Sequence, residues 1–456
     1  MRKFIATFVC LLMLVSAVAG LSACNTRGDD GVDEQGNVTQ IIMWVGGSEW
    51  SGQNLRNLQA FMDAYNEAKP DGFEVKLERK DDLEKAFQTA RTQGKQPDLM
   101  LWDRFNTATN VVSDYLYPVT ELIERDKVDT SVFYGPAMQE MIYGEETYGL
   151  PVDIDVWGTY VNMDFVEEYD KAHPDSKIEP LFDADWTWDD LLTAAKALKT
   201  VAEAGYSAGD QYEHLFKYYV STGHGEEFLL LADESTGRYR TNFDNQWTRD
   251  ILTFFKEVSN ANVGGKQETT SFVSSILAMV NNPLYYNNYI KSDGRITNYK
   301  FLPQPRQSEM QGVNGGMIGG YGLAFPKPDE KYQTRAWEAR HEASWKFTKW
   351  LCLDKGNMLS WSKQIGSLPA LTEAMNDPSC VEGNQVLQDA RTYVTKTDAE
   401  GNYIYITRPQ VPNFLTLQTD VINTQVQRFL SGALSIDDCI KQLTESGDQR
   451  LGMGLQ

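Results

Sequence analysis

Pro97-Asp98-Leu99-Met100-Leu101-Trp102 has the length and unbroken apolar character of a short strand buried on both faces, and Asp103-Arg104-Phe105 follows at once. The flanking sequence repeats the theme. Residues 83–93 carry a helical pattern, 73–77 alternate as a strand does, and Leu55, Leu58, Phe61, Met62 and Tyr65 recur at helical spacing. Before them, the β-branched run 38–45 ends in Trp44-Val45-Gly46-Gly47. Strands and helices alternating at these distances predict an α/β fold, a mainly parallel sheet flanked by helices. Such sheets bind ligands beyond the carboxyl ends of their strands, which here are residues 44–50 and 102–105.

A second pattern begins near Val156. Thr187-Trp188-Asp189-Asp190 spells a capping box: Thr187 satisfies a free N–H while Asp190 reaches back, and both acids suit the positive helix end. The apolar positions Leu191, Leu192, Ala195 and Leu198 follow. Further helices are expected over 247–258, 345–353 and 419–430. The stretch 278–289, rich in Asn and aromatics around Pro283, is expected to break into a loop. Six glycines between 312 and 322 suit backbone that passes close to a ligand or crosses between domains.

The chain opens with Arg2 and Lys3, an apolar run over 4–19, and Leu21-Ser22-Ala23-Cys24. This is the anatomy of an export signal, with an apolar core shorter than the roughly 20 residues a membrane span needs. Leu-Ser-Ala-Cys resembles the bacterial lipobox, which implies cleavage before Cys24, lipidation of its thiol, and a tether over 24–37. Removing the first 23 of 456 residues leaves 433 and moves the formal charge from −22 to −24. That length suits two or three domain-sized units. A chain this acidic is repelled by nucleic acid, so nucleic-acid partners are excluded. Cys352, Cys380 and Cys439 are too few for a disulfide framework; one bridge and free thiols both remain open. The four histidines have no ligand-spaced partners, so neither metal nor cofactor is expected.

Twelve per cent of the chain is aromatic, including 11 Trp, and several aromatics stand beside carboxylates: Trp44 near Glu49 and Trp50, Trp102 with Asp103, Asp155 with Trp157, and the pair Tyr285-Tyr286. Carbohydrate suits such pairing. A pyranose stacks its C–H face on a ring while its hydroxyls donate to carboxylates, in charge-assisted bonds roughly twice as strong as neutral ones.

Trp102-Asp103-Arg104-Phe105 resembles the segment with which maltodextrin-binding members of the extracellular solute-binding proteins of ABC importers line their sugar cleft. Tyr148-Gly149-Leu150-Pro151-Val152-Asp153-Ile154-Asp155-Val156-Trp157 resembles the first crossover of that family, with Asp155 where it places a sugar-binding carboxylate. Thr187-Trp188-Asp189-Asp190-Leu191, Ala278-Met279-Val280-Asn281-Asn282-Pro283, the glycine-rich return, and Gly366-Ser367-Leu368-Pro369 follow in the family's order. The resemblance implies a two-lobed periplasmic-binding-protein-like fold with a hinge. Residues 38–152 with about 305–365 form one lobe, and about 153–304 with 366–456 the other. It implies a monomeric, non-enzymatic, lipid-anchored binder that captures an oligosaccharide at the outer face of a membrane and delivers it to permease subunits. The site would draw on Trp44, Glu49, Trp102, Asp103, Arg104, Asp155, Trp157, Tyr285, Tyr286, Gly320 and Tyr321. The sequence departs from the family at Ser48-Glu49, at Tyr285-Tyr286 in place of Trp, and over 412–418, where Phe414 alone could stack.

Blander readings compete: a surface ion pair for Asp103 and Arg104, a helix cap for Asp155, core for Trp44, and structural roles for Asp153 and Trp361. Among functions, a polyamine binder of the same fold would use acids and aromatics too. A peptide or anion binder is less favoured, since an anion needs convergent Arg or Lys. A secreted glycoside hydrolase needs two carboxyls across the scissile bond, and no such motif stands out.

Overall fold

The computed structural model describes residues 31–33, 35–47, 50–207, 215–223, 230–233, 238–261 and 269–452. Cys24 with the leader before it, the first part of the tether, and Glu49 lie outside the described residues.

The first half builds as the alternation predicts: β1 (Gln40–Gly46), α1 (Gly52–Ala68), β2 (Glu74–Lys80), α2 (Leu83–Thr92) and β3 (Leu99–Asp103). In α1, Leu58, Phe61, Met62 and Tyr65 form the buried stripe, and Lys69 closes the helix in the left-handed conformation with its N–H on the Tyr65 carbonyl. β1 pairs in parallel with β2 and with β3. Side-chain alternation then sorts the strands' residues. Ile41, Met43, Val45, Leu99 and Leu101 enter the main core, and Trp44, Met100 and Trp102 enter a smaller cluster with Phe87, Tyr148 and Ala324.

Beyond β4 (Gly149–Pro151) the chain passes through Val152 straight into β5 (Asp153–Asn162). The capping box closes as expected and starts α3 (Trp188–Leu198), with Leu191, Leu192, Ala195 and Leu198 buried. β6 (Ala204–Ser207) and β7 (Leu277–Pro283) follow, so the expected loop over 278–289 is a strand joined by Leu284-Tyr285 to α4 (Tyr286–Asp293). Asn281, Asn282 and Pro283 are themselves part of the strand, paired with Thr159, Gly158 and Trp157 of β5, and the chain turns only after them. β8 (Tyr299–Leu302), β9 (Gly316–Gly319), β10 (Tyr321–Ala324), α5 (Arg335–Leu353), α6 (Lys355–Ile365), β11 (Leu368–Pro369) and β12 (Tyr405–Ile406) complete the frame.

Two sheets result. The first runs β2-β1-β3-β10-β4, with β10 antiparallel between β3 and β4. The second is arranged around β5, which pairs antiparallel with β7, β8, β9 and β11 along its length, while β7–β6 and β9–β12 are parallel. The expected mainly parallel sheets are thus mixed. One strand in each runs against the rest, because β5 and β10 come directly across the gap between sheets without a crossover helix. Among the described residues the chain passes between the two sheets at Val152, at Gly320 and at Gly366-Ser367. Residues as late as Gly319 pair in the second sheet, and Tyr321 opens the strand that pairs in the first. Cys352, Cys380 and Cys439 are buried free thiols, which leaves no bridge among them.

Candidate functional site

A small cavity sits where the crossings meet, lined by Trp50, Asn54, Asp153, Asp155, Tyr285, Tyr321, Ile365 and Ser367. β5 supplies both carboxylates from one face, since Asp153 and Asp155 are two residues apart. Tyr321 opens β10 and meets Trp50 edge-on, with ring centroids 5.1 Å apart. The free space amounts to about 20 Å³, room for a single water-sized group.

The two carboxylates have different duties. Asp153 is 2% exposed. Its Oδ1 accepts from the Tyr321 N–H at 2.8 Å, and its Oδ2 accepts from Trp361 Nε1 at 3.3 Å and Ser367 Oγ at 3.2 Å. One side chain on the first crossing therefore holds the second and the third. Burial raises its pKa, opposed by those bonds and by the charge of Arg104. Asp155 is half-buried and accepts from the Leu284 N–H at 2.8 Å and from the Tyr285 N–H. A carboxylate offers about four lone-pair sites, so capacity remains for a ligand. Burial first, and Asp153 second, push its pKa well above the usual carboxylate range. The helix-cap reading thus holds in part, for Asp155 orders the turn into α4 while lining the cavity.

Of the expected residues, Asp155, Tyr285 and Tyr321 come together here. Several others do not. Trp44 and Trp102 are buried in the small cluster of the first sheet; Trp44 donates to Glu78 at 3.0 Å and lies under the Lys80 ammonium. Tyr286 packs into the core against Tyr160, centroids 5.4 Å apart, because one helical step turns it away from Tyr285. Trp157 is partly buried against the second core, opposite Pro283 in the ladder. Phe414 is buried edge-on to Phe105 and offers no platform. Trp50, Asn54, Ile365 and Ser367 also line it and carry no sequence pattern of their own that marks a ligand contact, although Trp50 stands next to Glu49 and Ser367 lies in the Gly-Ser-Leu-Pro segment.

Residues 48–358 match the profile of the bacterial extracellular solute-binding protein family. The chain belongs to that family. A maltotriose-binding protein from Pyrococcus abyssi is 24% identical over 344 residues, covering 74% of this solute-binding protein and 68% of that relative. Among solved structures, the GacH receptor of Streptomyces glaucescens matches with a TM-score of 0.70 at 18% identity, over 91% of this chain and 99% of that one. The cyclic alpha-maltosyl-1,6-maltose binding protein from Arthrobacter globiformis gives 0.71 at 16%, over 91% and 99%. These likenesses show the two-lobed fold; the family consists of binding proteins.

In this solute-binding protein Arg104 is enclosed where the crossings meet, which corrects its expected role as a ligand contact, while Asp103 stays partly exposed. Arg104 is fully buried. Its Nε donates to Glu140 at 3.1 Å, Nη1 to the carbonyls of Asp153 at 2.6 Å and Tyr321 at 2.8 Å, and Nη2 to that of Gly319 at 2.6 Å. Asp103 pairs with Arg408, not Arg104, at 2.7 Å. Arg408 also donates through its backbone N–H and Nε to Glu140, at 3.2 and 3.1 Å, and its guanidinium lies 4.7 Å from the Phe105 ring centroid. Burial works against its charge, but Asp103 and Glu140 outweigh it and raise the pKa. Arg408 follows β12 of the second sheet, whereas Asp103 ends β3 of the first, so this pair joins the lobes. Gly320 belongs to the same machinery. Its φ is +124°, and a Cβ there would stand 2.6 Å from the Asp153 carbonyl and 2.8 Å from Arg104 Nη1. It is the residue that lets the crossing pass. Among the described residues, no group of His, Cys, Asp and Glu could hold a metal ion, and no helix is long and apolar enough to cross a membrane.

Proposed function

We propose that this protein is the substrate-binding component of an ABC importer, capturing an oligosaccharide between its lobes for delivery to permease subunits. The observation that carries the reading is the cavity at the crossings, where one carboxylate with spare accepting capacity, Asp155, stands among Trp50, Tyr285 and Tyr321. Hydroxyls donate to the carboxylate while the rings offer apolar faces. The maltotriose-binding relative supports an oligosaccharide. The moving bodies are residues 38–152 with 321–365, and 153–319 with 366 onward, closing by hinge bending. A space of about 20 Å³ admits a hydroxyl but not a sugar ring, so a ring enters only when the lobes part. The protein acts without hydrolysing its ligand. Hydrolysis needs two available carboxyls, and Asp153 is engaged by three donors. It acts as a monomer, anchored by acyl chains on Cys24 at the outer face of the cell membrane.

Thermal shift with maltose, maltotriose and spermidine tests the ligand. A sugar at 100 times its dissociation constant adds about 2.7 kcal/mol of stability. A shift with spermidine and none with either sugar makes the protein a cation binder, and release of shorter sugars makes it a hydrolase. Cys24→Ala in cells should release the protein or leave it uncut; unaltered membrane retention removes the anchor.

A further inference from the structure

Trp50 lines the cavity, and its buried indole N–H makes no hydrogen bond among the described residues. Trp50 is 3% exposed, fixed edge-on against Tyr321 and held by its own carbonyl, which accepts from Arg79 Nε at 2.6 Å. Its indole Nε1–H has no partner among the described residues. An unpaired buried N–H carries the full desolvation penalty of the group, and native structures rarely leave one without a reason. Trp361, 6.5 Å away by ring centroids, is the contrast, with its Nε1–H on Asp153. Trp102 Nε1 is also unpaired but lies in the small cluster of the first sheet and does not line the cavity.

Trp50 and Asp155 line one space that takes a single water-sized group. Asp155 as carboxylate only accepts, and the indole only donates. A hydroxyl does both, giving its hydrogen to Asp155 and accepting at oxygen from Nε1. An ammonium only donates, so it satisfies Asp155 and leaves Trp50 unpaired. An anion accepts from Trp50 but is repelled by Asp155.

We propose that Trp50 is a specificity-determining residue whose indole N–H donates to a ligand hydroxyl bound to Asp155, so that the cavity selects neutral polyhydroxylated ligands over cations. This rests on the sugar-binding reading above and names the ligand group that reading requires.

Trp50→Phe keeps an aromatic ring beside Tyr321 and removes the indole N–H together with part of the ring system. Calorimetric titration with maltose, maltotriose and spermidine should show sugar affinity falling about fivefold, the worth of one neutral hydrogen bond, with any spermidine affinity unchanged. Undiminished sugar affinity in a folded variant overturns the role of Trp50 and leaves the sugar reading standing. Failure of both sugars to bind the native protein overturns both. Should the variant not fold, the assigned indole ¹H–¹⁵N resonance of Trp50 in the native protein is followed at sugar saturation. A shift supports the proposal and an unmoved resonance refutes it.

Discussion

Glu140→Gln removes one negative charge from between two buried guanidiniums while keeping the side chain's size. Glu140 is fully buried and accepts from Arg104 Nε at 3.1 Å and from Arg408 through its backbone N–H, Nε and Nη2, at 3.2, 3.1 and 3.4 Å. Arg408 keeps Asp103 after the change, but Arg104 is left with carbonyl partners only. Breaking a buried pair from one side destabilises by about 3–5 kcal/mol, because the remaining charge stays buried without compensation. The same Arg408 supplies an internal control. Its partner Asp103 has a side chain 41% exposed, where an ion pair contributes about 0–1 kcal/mol. Urea unfolding followed by tryptophan fluorescence, with the slope compared between variants, reads both. The expected order is a loss of about 3–5 kcal/mol for Glu140→Gln and about 1 kcal/mol or less for Asp103→Asn. A loss below about 1 kcal/mol at Glu140, or equal losses at the two sites, refutes the argument that burial decides the worth of this network.

Gly320→Ala should destabilise by about 1–3 kcal/mol in the same assay, since φ near +124° disfavours a side chain and the new Cβ presses on the Asp153 carbonyl; unchanged stability would show that the crossing relaxes freely. His341 packs among Tyr117, Phe325 and Trp337, and burial lowers its pKa to about 4. Folded, it stays neutral while the unfolded chain takes up a proton, so its stabilisation is complete above pH 6.5 and about 3 kcal/mol is lost as pH falls to 4. His341→Phe should flatten that limb, and an unchanged pH profile removes His341 as its cause. Asp155→Ala should weaken sugar binding by about 1.5–3 kcal/mol in calorimetry. Sugar affinity of the native protein should fall as pH drops through the raised pKa of Asp155, sooner than for an ordinary carboxylate; a flat profile would separate Asp155 from the ligand.

Much of the fold is local physics and therefore legible in sequence. The stripe Leu58-Phe61-Met62-Tyr65 and the cap Thr187–Asp190 are decided within one or two helical turns, and both form as read. The site depends on contacts that no local pattern encodes. Arg104 follows a strand end that faces the gap, yet its partners Glu140, Asp153, Gly319 and Tyr321 come from three distant segments and draw it inside. Trp44 alternates correctly, but alternation fixes only which residues share a face, not which face meets the cleft. Tyr285 and Tyr286 are equivalent by composition; the start of α4 separates them, one into the cavity and one into the core. Arg408, which joins the lobes, sits in Thr407-Arg408-Pro409 with nothing around it to mark the role.

The position of β10 also governs when the protein can fold. β3 and β4 touch only through β10, so the first sheet stays open until Tyr321–Ala324 have been made. The second waits for its edge strand Tyr405–Ile406. At about 5–20 residues per second of synthesis, residue 321 is reached after roughly 16–64 s. Through that interval neither lobe can complete its sheet. A family that works outside the cell must pass its chains through a membrane, and a chain that cannot close early is one that a translocation channel can still thread.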